Sequence, residues 1–331
     1  MVEQNRLVAG ITGQGVCIPE RVLTNHDLER MVDTSDQWIR ERTGIRERRI
    51  ATAEETTASL GLEAARRALR SAGLEPVDVD LIITATATPD MLFPATACLI
   101  QDGLGARRAA AFDLEAGCSS FIYAMAVGAQ FIDTGCYRNV LLVGADTLSK
   151  ITNWQDRSTC VLFGDGAGAV VLQPVAPPRG IISFYLRADG SGGDLLKMSA
   201  GGSRIPTTLE TVQGGLHYLT MNGREVFKFA VRAMEEAAVE ALRRGGVQQE
   251  EIDCFIPHQA NVRIIDALAR RLCLPPEKVF VNVDRYGNTS SASIPIAFYE
   301  AVSSGRINPM KLVLLVAFGA GLTWGSVVLR Y

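Results

Sequence analysis

The chain has 331 residues, 47% of them hydrophobic and 21% charged, with a formal net charge of -3. That is the composition of a soluble folded protein, large enough for one big α/β unit or two closely packed halves. It excludes a disordered chain and gives no bulk positive charge to suggest DNA or RNA as a partner. The first 25 residues show no secretory signal and no apolar run reaches the roughly 20 residues of a membrane span, so a cytoplasmic location away from membranes is expected. Seven cysteines with no C-x-x-C pair point to reduced thiols and to no metal site.

In chain order, helical and strand patterns alternate, the order of an α/β fold with parallel or mixed sheets. A helix is predicted over Thr57–Ala72, a strand over 79–84, a helix over 95–104, a strand over 109–114, a helix over 118–133 and a strand over 140–144. The second half repeats the order: helix 224–244, strand 252–256, helix 260–272, strand 278–283, a helix over 289–302 and strand 311–317. This reads as a diverged internal duplication, with halves at 1–174 and 175–331 joined through the stretch PVAPPRG. Two helices hold equivalent places. The one from Cys118 is apolar nearly all round, and the one from Thr289 is rich in Ser and Ala, so both are expected to lie buried between two sheets.

Two glycine runs, Gly10-x-x-Gly13-x-Gly15 and Gly164-x-Gly166-x-Gly168, superficially match phosphate-binding loops. Neither follows a strand and opens a helix, as such a loop must, so neither is read as a phosphate-binding loop.

Three residues carry chemistry by position. Cys118 follows a strand through the turn Glu115-Ala116-Gly117 and opens a helix, whose N-terminus favours thiolate over thiol and offers N–H groups to an oxyanion. A buried structural cysteine is the competing reading. His258 stands just past a strand end, where α/β proteins place ligands, whereas His26 and His217 read as structural. Asn288 precedes the second buried helix, opposite Cys118 by pseudo-symmetry. It is either a helix cap or a donor into the site, and both hold only if its amide N–H₂ stays free.

The segments Asp33-Thr34-Ser35-Asp36-Gln37-Trp38-Ile39, Arg42-Thr43-Gly44-Ile45-Arg46, Cys118-Ser119-Ser120-Phe121, Phe163-Gly164-Asp165-Gly166-Ala167-Gly168, His258-Gln259-Ala260-Asn261, Gly287-Asn288-Thr289-Ser290 and Phe318-Gly319-Ala320-Gly321-Leu322-Thr323-Trp324-Gly325 carry a resemblance. Over essentially its whole length the chain resembles the β-ketoacyl-acyl-carrier-protein synthase III family, condensing enzymes of the thiolase fold. The resemblance implies a five-layered αβαβα sandwich, a homodimer and a Cys–His–Asn site of Cys118, His258 and Asn288. Backbone N–H groups of Cys118 and Ala320 would hold the oxyanion; many relatives carry glycine at the latter place.

It further implies that acyl coenzyme A is a substrate and that no cofactor is needed. Coenzyme A would meet Thr34, Trp38, Arg42, Arg157, Gly223, Asn261 and Phe318, its adenine lying between Trp38 and Arg157, while Phe93 would close the acyl pocket of the partner subunit. A malonyl-loaded acyl carrier protein would dock on Lys228, Gln259, Ala260, Asn261, Val262, Arg263, Arg270 and Arg271. Of these, Arg263, Arg270 and Arg271 fall at i, i+7 and i+8 on one helical face; a merely solvated basic face is the alternative. Other readings of the whole chain are a polyketide starter synthase or acyltransferase of the same fold, a papain-like hydrolase, and a non-catalytic partner subunit.

Overall fold

The computed structural model describes residues 7–331; residues 1–6, the start of the stretch read for a targeting signal, lie outside the described residues. Two large sheets form beside two small two-stranded ribbons, and the second large sheet repeats the strand pairing of the first. The first holds β1 (Val8–Cys17), β2 (Leu81–Ala85), β3 (Ala110–Leu114), β4 (Val140–Thr147) and β5 (Asp165–Val175), in the spatial order β1-β5-β4-β2-β3. The second holds β6 (Gly180–Ala188), β7 (Cys254–Pro257), β8 (Leu312–Gly319) and β9 (Thr323–Arg330), in the order β6-β9-β8-β7. In each, two antiparallel pairings are followed by a parallel one. The stretch PVAPPRG carries the chain from the end of β5 to the start of β6.

The first sheet has one more strand, β3, parallel to β2. Its counterpart is the expected strand over 278–283, which does not form. Only Val279 bridges to Phe255, while Pro276–Lys278 makes a 3-10 turn and Val283–Tyr286 a short helix. The cause is a residue distant in the chain: the side-chain oxygen of Gln259 takes the N–H groups of Asn282 (2.8 Å) and Val283 (3.2 Å), the donors a ladder would need.

Seven helices position the site: α1 (Asp36–Thr43), α2 (Thr57–Ala72), α3 (Thr96–Leu104), α4 (Ser120–Asp133), α5 (Gly223–Gly245), α6 (Val262–Arg271) and α7 (Ser293–Ser303). Helices α2 and α3 cover the outer face of the first sheet, α5 and α6 cover the second, and α4 and α7 lie between the sheets, giving the five layers. The layering follows from composition. In α4, Phe121, Ile122, Ala124, Met125 and Ala129 are all buried, and only Gln130 near its end is exposed, so the helix is enclosed by both sheets over most of its length. Each large apolar side chain removed from water there contributes about 1.5–3 kcal/mol.

The middle helices start later than the sequence suggests. Helix α4 begins at Ser120, two residues past Cys118, because Ser119 and Ser120 close a tight turn onto Ala116 and Gly117. Helix α7 begins at Ser293 after a 3-10 turn over Ser290–Ala292, with Pro295 in its first turn, where no intrahelical N–H is lost. Helix α2, by contrast, starts and stops as expected. Thr56 caps it with a reciprocal Ser59 contact, and Gly73 ends it in the left-handed region at φ 67.

The glycine runs are points of close packing. A Cβ added at Gly15 would sit 2.5 Å from the Ala64 carbonyl oxygen of α2, and one at Gly168 would sit 2.8 Å from Pro295 Cβ of α7. Gly15→Ala is therefore expected to force α2 off the sheet and to cost about 1–3 kcal/mol, read as a lower urea midpoint at an unchanged denaturant slope.

Candidate active site

The turn after β3 brings Cys118 against the loop that follows β8. Gly117 has φ 53, and a Cβ there would meet the Ala320 amide nitrogen at 2.5 Å; a Cβ on Gly319 would meet the Cys118 nitrogen at 2.4 Å. Only glycine at these two points lets the Cys118 and Ala320 backbones lie side by side. Hydroxyls then lock the turn: Ser120 Oγ accepts from the Ala116 N–H (2.7 Å), and Thr323 Oγ1 donates to the Ala116 carbonyl (2.6 Å).

His258 continues the β7–β8 ladder by donating its N–H to the Val316 carbonyl at 2.8 Å, which fixes the ring just beyond the strand end. The ring is 3% exposed, and Nδ1 has no hydrogen-bond partner. Burial pushes the imidazole down to about 4, so it is neutral at neutral pH. Asn288 reaches the same place from the other half. Its Oδ1 accepts the Ser290 N–H at 2.9 Å, which leaves the amide N–H₂ free toward the Cys118 sulfur. Asn288 does not cap α7, whose N-cap is Ala292; its oxygen holds the Ser290 turn instead, and its donors are kept for the site.

Cys118 is partly exposed to a cavity of about 1600 Å³ whose lining also holds His258, Asn288, Ser290, Phe318 and Ala320. Desolvation pushes its thiol up to about 11; the Ser290 hydroxyl, the residue's own N–H and the Asn288 amide pull the other way. The resting pair is therefore a neutral thiol beside a neutral imidazole, not a thiolate–imidazolium ion pair. The helix N-terminus does not overcome burial, in keeping with Cys118 lying two residues outside α4.

Among residues expected along the substrate path, Trp38, Arg42, Gly223, Asn261 and Phe318 line the cavity, whereas Thr34, Phe93 and Arg157 do not. Arg157 instead covers the Trp38 ring, its Cζ 5.0 Å from the ring centroid, and donates to the Asp33 carbonyl at 2.8 Å. A base held between the two needs that guanidinium to swing out. Asn261 caps α6 by accepting the Arg263 N–H (2.8 Å) and ties it to α1 by donating to the Arg42 carbonyl (3.0 Å). Phe93 is 84% exposed on the same loop as exposed Met91 and Leu92.

Two of the residues expected to meet a carrier protein have other work. Gln259 is 1% exposed, its amide spent on Pro257, Phe280, Asn282 and Val283, so it is a structural anchor and not a surface contact. Val262 packs against the backbone of Gly44. Lys228, Ala260 and Arg263 line the cavity, Lys228 paired with Glu225 at 2.9 Å. Arg271 is bonded to Glu235, and Arg270 is exposed without an ion pair among the described residues.

Sequence reasoning missed Asp146. Its Oδ1 takes the N–H groups of Ala87 and Thr88 and the hydroxyls of Thr86 and Thr88, and its Oδ2 takes the Ser291 N–H at 2.9 Å. The carboxylate thus straps the loop after β2 to the turn that carries Asn288. A charged residue in an otherwise apolar strand was the available signal. No three His, Cys, Asp or Glu side chains stand together as a metal site among the described residues, and no described helix is long and apolar enough to cross a membrane.

A five-layered sandwich of two like halves, with a cysteine, a histidine and an asparagine lining one cavity between them, places the chain among the thiolase-fold condensing enzymes. A family model described as 3-oxoacyl-[acyl-carrier-protein] synthase III matches residues 112–190, and one for the C terminal of the same enzyme matches residues 242–331. The β-ketoacyl-[acyl-carrier-protein] synthase III of Symbiobacterium thermophilum is 60% identical over 97% of this chain and 98% of its own. That of Caldanaerobacter subterraneus is 57% identical over 98% of each. The crystal structure of 3-oxoacyl-[acyl-carrier-protein] synthase III from Aquifex aeolicus superposes with a TM-score of 0.91 at 52% identity, covering 98% of this chain and all of that one. The chain belongs to the β-ketoacyl-acyl-carrier-protein synthase III family and is a condensing acyltransferase.

Because folded His258 resists protonation down to about 4 while an unfolded histidine takes a proton near 6.5, the unfolded state binds more protons between those values. Stability is therefore present in full above pH 6.5 and falls as pH drops toward 4, by about 3 kcal/mol from this group. His258→Gln should flatten that part of the urea-midpoint profile; an unchanged slope would mean the ring protonates freely in the fold.

Proposed function

We propose that the protein starts fatty-acid synthesis, condensing a short acyl group from coenzyme A with malonyl-acyl-carrier-protein to give 3-oxoacyl-carrier-protein, CO₂ and free coenzyme A. The convergence of Cys118, His258 and Asn288 on one cavity that also reaches Trp38 and Arg42 supports this reading more than any other observation. Cys118 sulfur attacks the acyl thioester, the Cys118 and Ala320 N–H groups hold the tetrahedral oxyanion, and coenzyme A leaves carrying the proton that Cys118 gave up. The malonyl carboxylate next departs as CO₂, its electron pair forming an enolate that attacks the acyl-cysteine. The Cys118 sulfur leaves and regains a proton from solvent.

His258 and Asn288 donate to the malonyl thioester oxygen as it becomes negative. A ring already neutral at working pH suits that task, since it donates without first being protonated, and an amide adds a donor with no charge to repel the enolate. No prosthetic group is needed, because coenzyme A is itself the leaving group.

A malonyl-carrier-protein is expected to dock at the cavity mouth beside Arg263, whose guanidinium lies over the Phe227 ring, with Arg270 further along the exposed face of α6. The cell compartment is the cytoplasm, where both substrates are made. A second copy of the chain is expected against the edge strand β3 and the exposed apolar loop of Met91, Leu92 and Phe93, with Phe93 reaching the partner's acyl pocket.

Exposure to acetyl-, isobutyryl- and longer acyl-CoA should leave one acyl group per chain on Cys118, seen by mass, lost on adding malonyl-carrier-protein and absent from Cys118→Ala. Native mass of the same sample should be that of a dimer. Asn288→Ala should slow condensation on the order of a hundredfold to a thousandfold and leave acylation nearly intact; equal loss in both steps would remove Asn288 from the enolate site. An adduct that malonyl-carrier-protein cannot discharge would favour an acyltransferase. Arg263→Glu should lower the association rate with the carrier protein while acyl-CoA use is unchanged; equal damage to both substrates would move docking elsewhere.

A further inference from the structure

Ser290 lies two residues past Asn288 and has its backbone in the left-handed region at φ 49, uncommon for a residue with a side chain. Bonds on either side hold it there: its own N–H donates to Asn288 Oδ1, and the next N–H, of Ser291, donates to Asp146 Oδ2, each at 2.9 Å. The side chain is 1% exposed, lines the cavity with Cys118, His258 and Asn288, and its hydroxyl has no hydrogen-bond partner in the resting protein. A strained backbone that buries an unsatisfied hydroxyl is costly twice over, and such strain collects where function repays it.

We propose that Ser290 is a further catalytic residue, whose hydroxyl donates a hydrogen bond to Cys118 Sγ whenever that sulfur carries negative charge. This rests on Cys118 being the nucleophile. The charge appears twice, when the sulfur attacks the acyl thioester and when it leaves the condensation intermediate. No proton is transferred to or from Ser290; the bond forms as the sulfur ionises and relaxes once it is acylated or protonated.

The surroundings explain the need. Burial disfavours the Cys118 thiolate, and the Asp146 carboxylate behind it disfavours it further, while His258 is neutral and supplies no counter-charge. Glu115, the remaining ionisable side chain near the turn, is itself held up toward its neutral form by burial and by Asp146. Among the groups that favour the ionised sulfur, the Ser290 hydroxyl comes first, ahead of the Cys118 N–H and the Asn288 amide. The labour is thereby divided: Ser290 serves the sulfur, leaving the His258 and Asn288 donors for the malonyl oxygen.

Ser290→Gly and Ser290→Ala test this together, because glycine accepts φ 49 without strain and so removes the hydroxyl alone. Iodoacetamide alkylation is followed against pH on the Cys118 peptide, since Cys98, Cys136 and Cys273 are also exposed. Acylation by acetyl- and isobutyryl-CoA is timed alongside, with thermal melts. Both variants should lose about tenfold to a hundredfold in each rate at neutral pH, with the Cys118 alkylation midpoint moved upward and the glycine variant melting no lower than the parent. Parental rates and midpoint in Ser290→Gly would overturn the proposal, as would a loss confined to Ser290→Ala, which strain alone explains. If the parent protein takes up no acyl group, the nucleophile reading fails, and the alkylation profile still decides whether Ser290 bonds to the sulfur.

Discussion

The two halves meet backbone to backbone, and nearly everything about the site follows from how closely they do so. At Gly144 an added Cβ would stand 2.4 Å from the Ser291 carbonyl oxygen, and the Gly117–Ala320 and Gly319–Cys118 approaches are as tight. A side chain at any of these points would hold the middle helices away from the opposing sheet. Closeness of this kind lets a nucleophile from one half share a cavity with a histidine and an asparagine from the other, with no long side chain needed to bridge them. It also buries the site, and burial sets the chemistry, since desolvation favours the neutral forms of both Cys118 and His258.

A neutral resting pair separates two demands that an ion pair would merge. The condensation step wants uncharged donors facing an enolate, and a histidine held down to about 4 meets that demand at any physiological pH. Acylation wants a sulfur that ionises on demand, and short-range donors meet it locally without placing a permanent cation in the cavity. The fixed Asp146 carboxylate, useful as a clamp, works against the thiolate, so the arrangement trades some nucleophile reactivity for a firmly held Asn288 turn.

Much of this was readable from residues. The alternation of periods gave the repeated order of elements, and the all-round apolarity of residues 120–133 required a layer on each side. Helix α2 was found to the residue because Thr56 and Gly73 are strong local punctuation. Where local pattern failed, a distant partner had intervened. Residues 278–283 look like a strand, yet Gln259, some twenty residues away, takes their N–H groups, and the same engagement buries a glutamine that its neighbours made look like surface. The start of α4 slipped because three successive small polar residues favour a tight turn over an immediate helix. Asp146 carries a local signal, a charge in an apolar strand, but its partner Ser291 in the other half is not encoded by any spacing, and the same holds for the place of Ser290 beside Cys118 in one cavity.

The Asp146 clamp has a mechanical meaning as well. Four of its five donors come from its own half and the fifth from the other, so one carboxylate is a shared ground for both. Separating the halves at this point means breaking the Ser291 bond to a buried carboxylate that also holds the loop after β2, so the clamp opposes movement where Asn288 is positioned. The two halves, alike in the order of their strand pairings, are thereby tied together at the turn that carries Asn288.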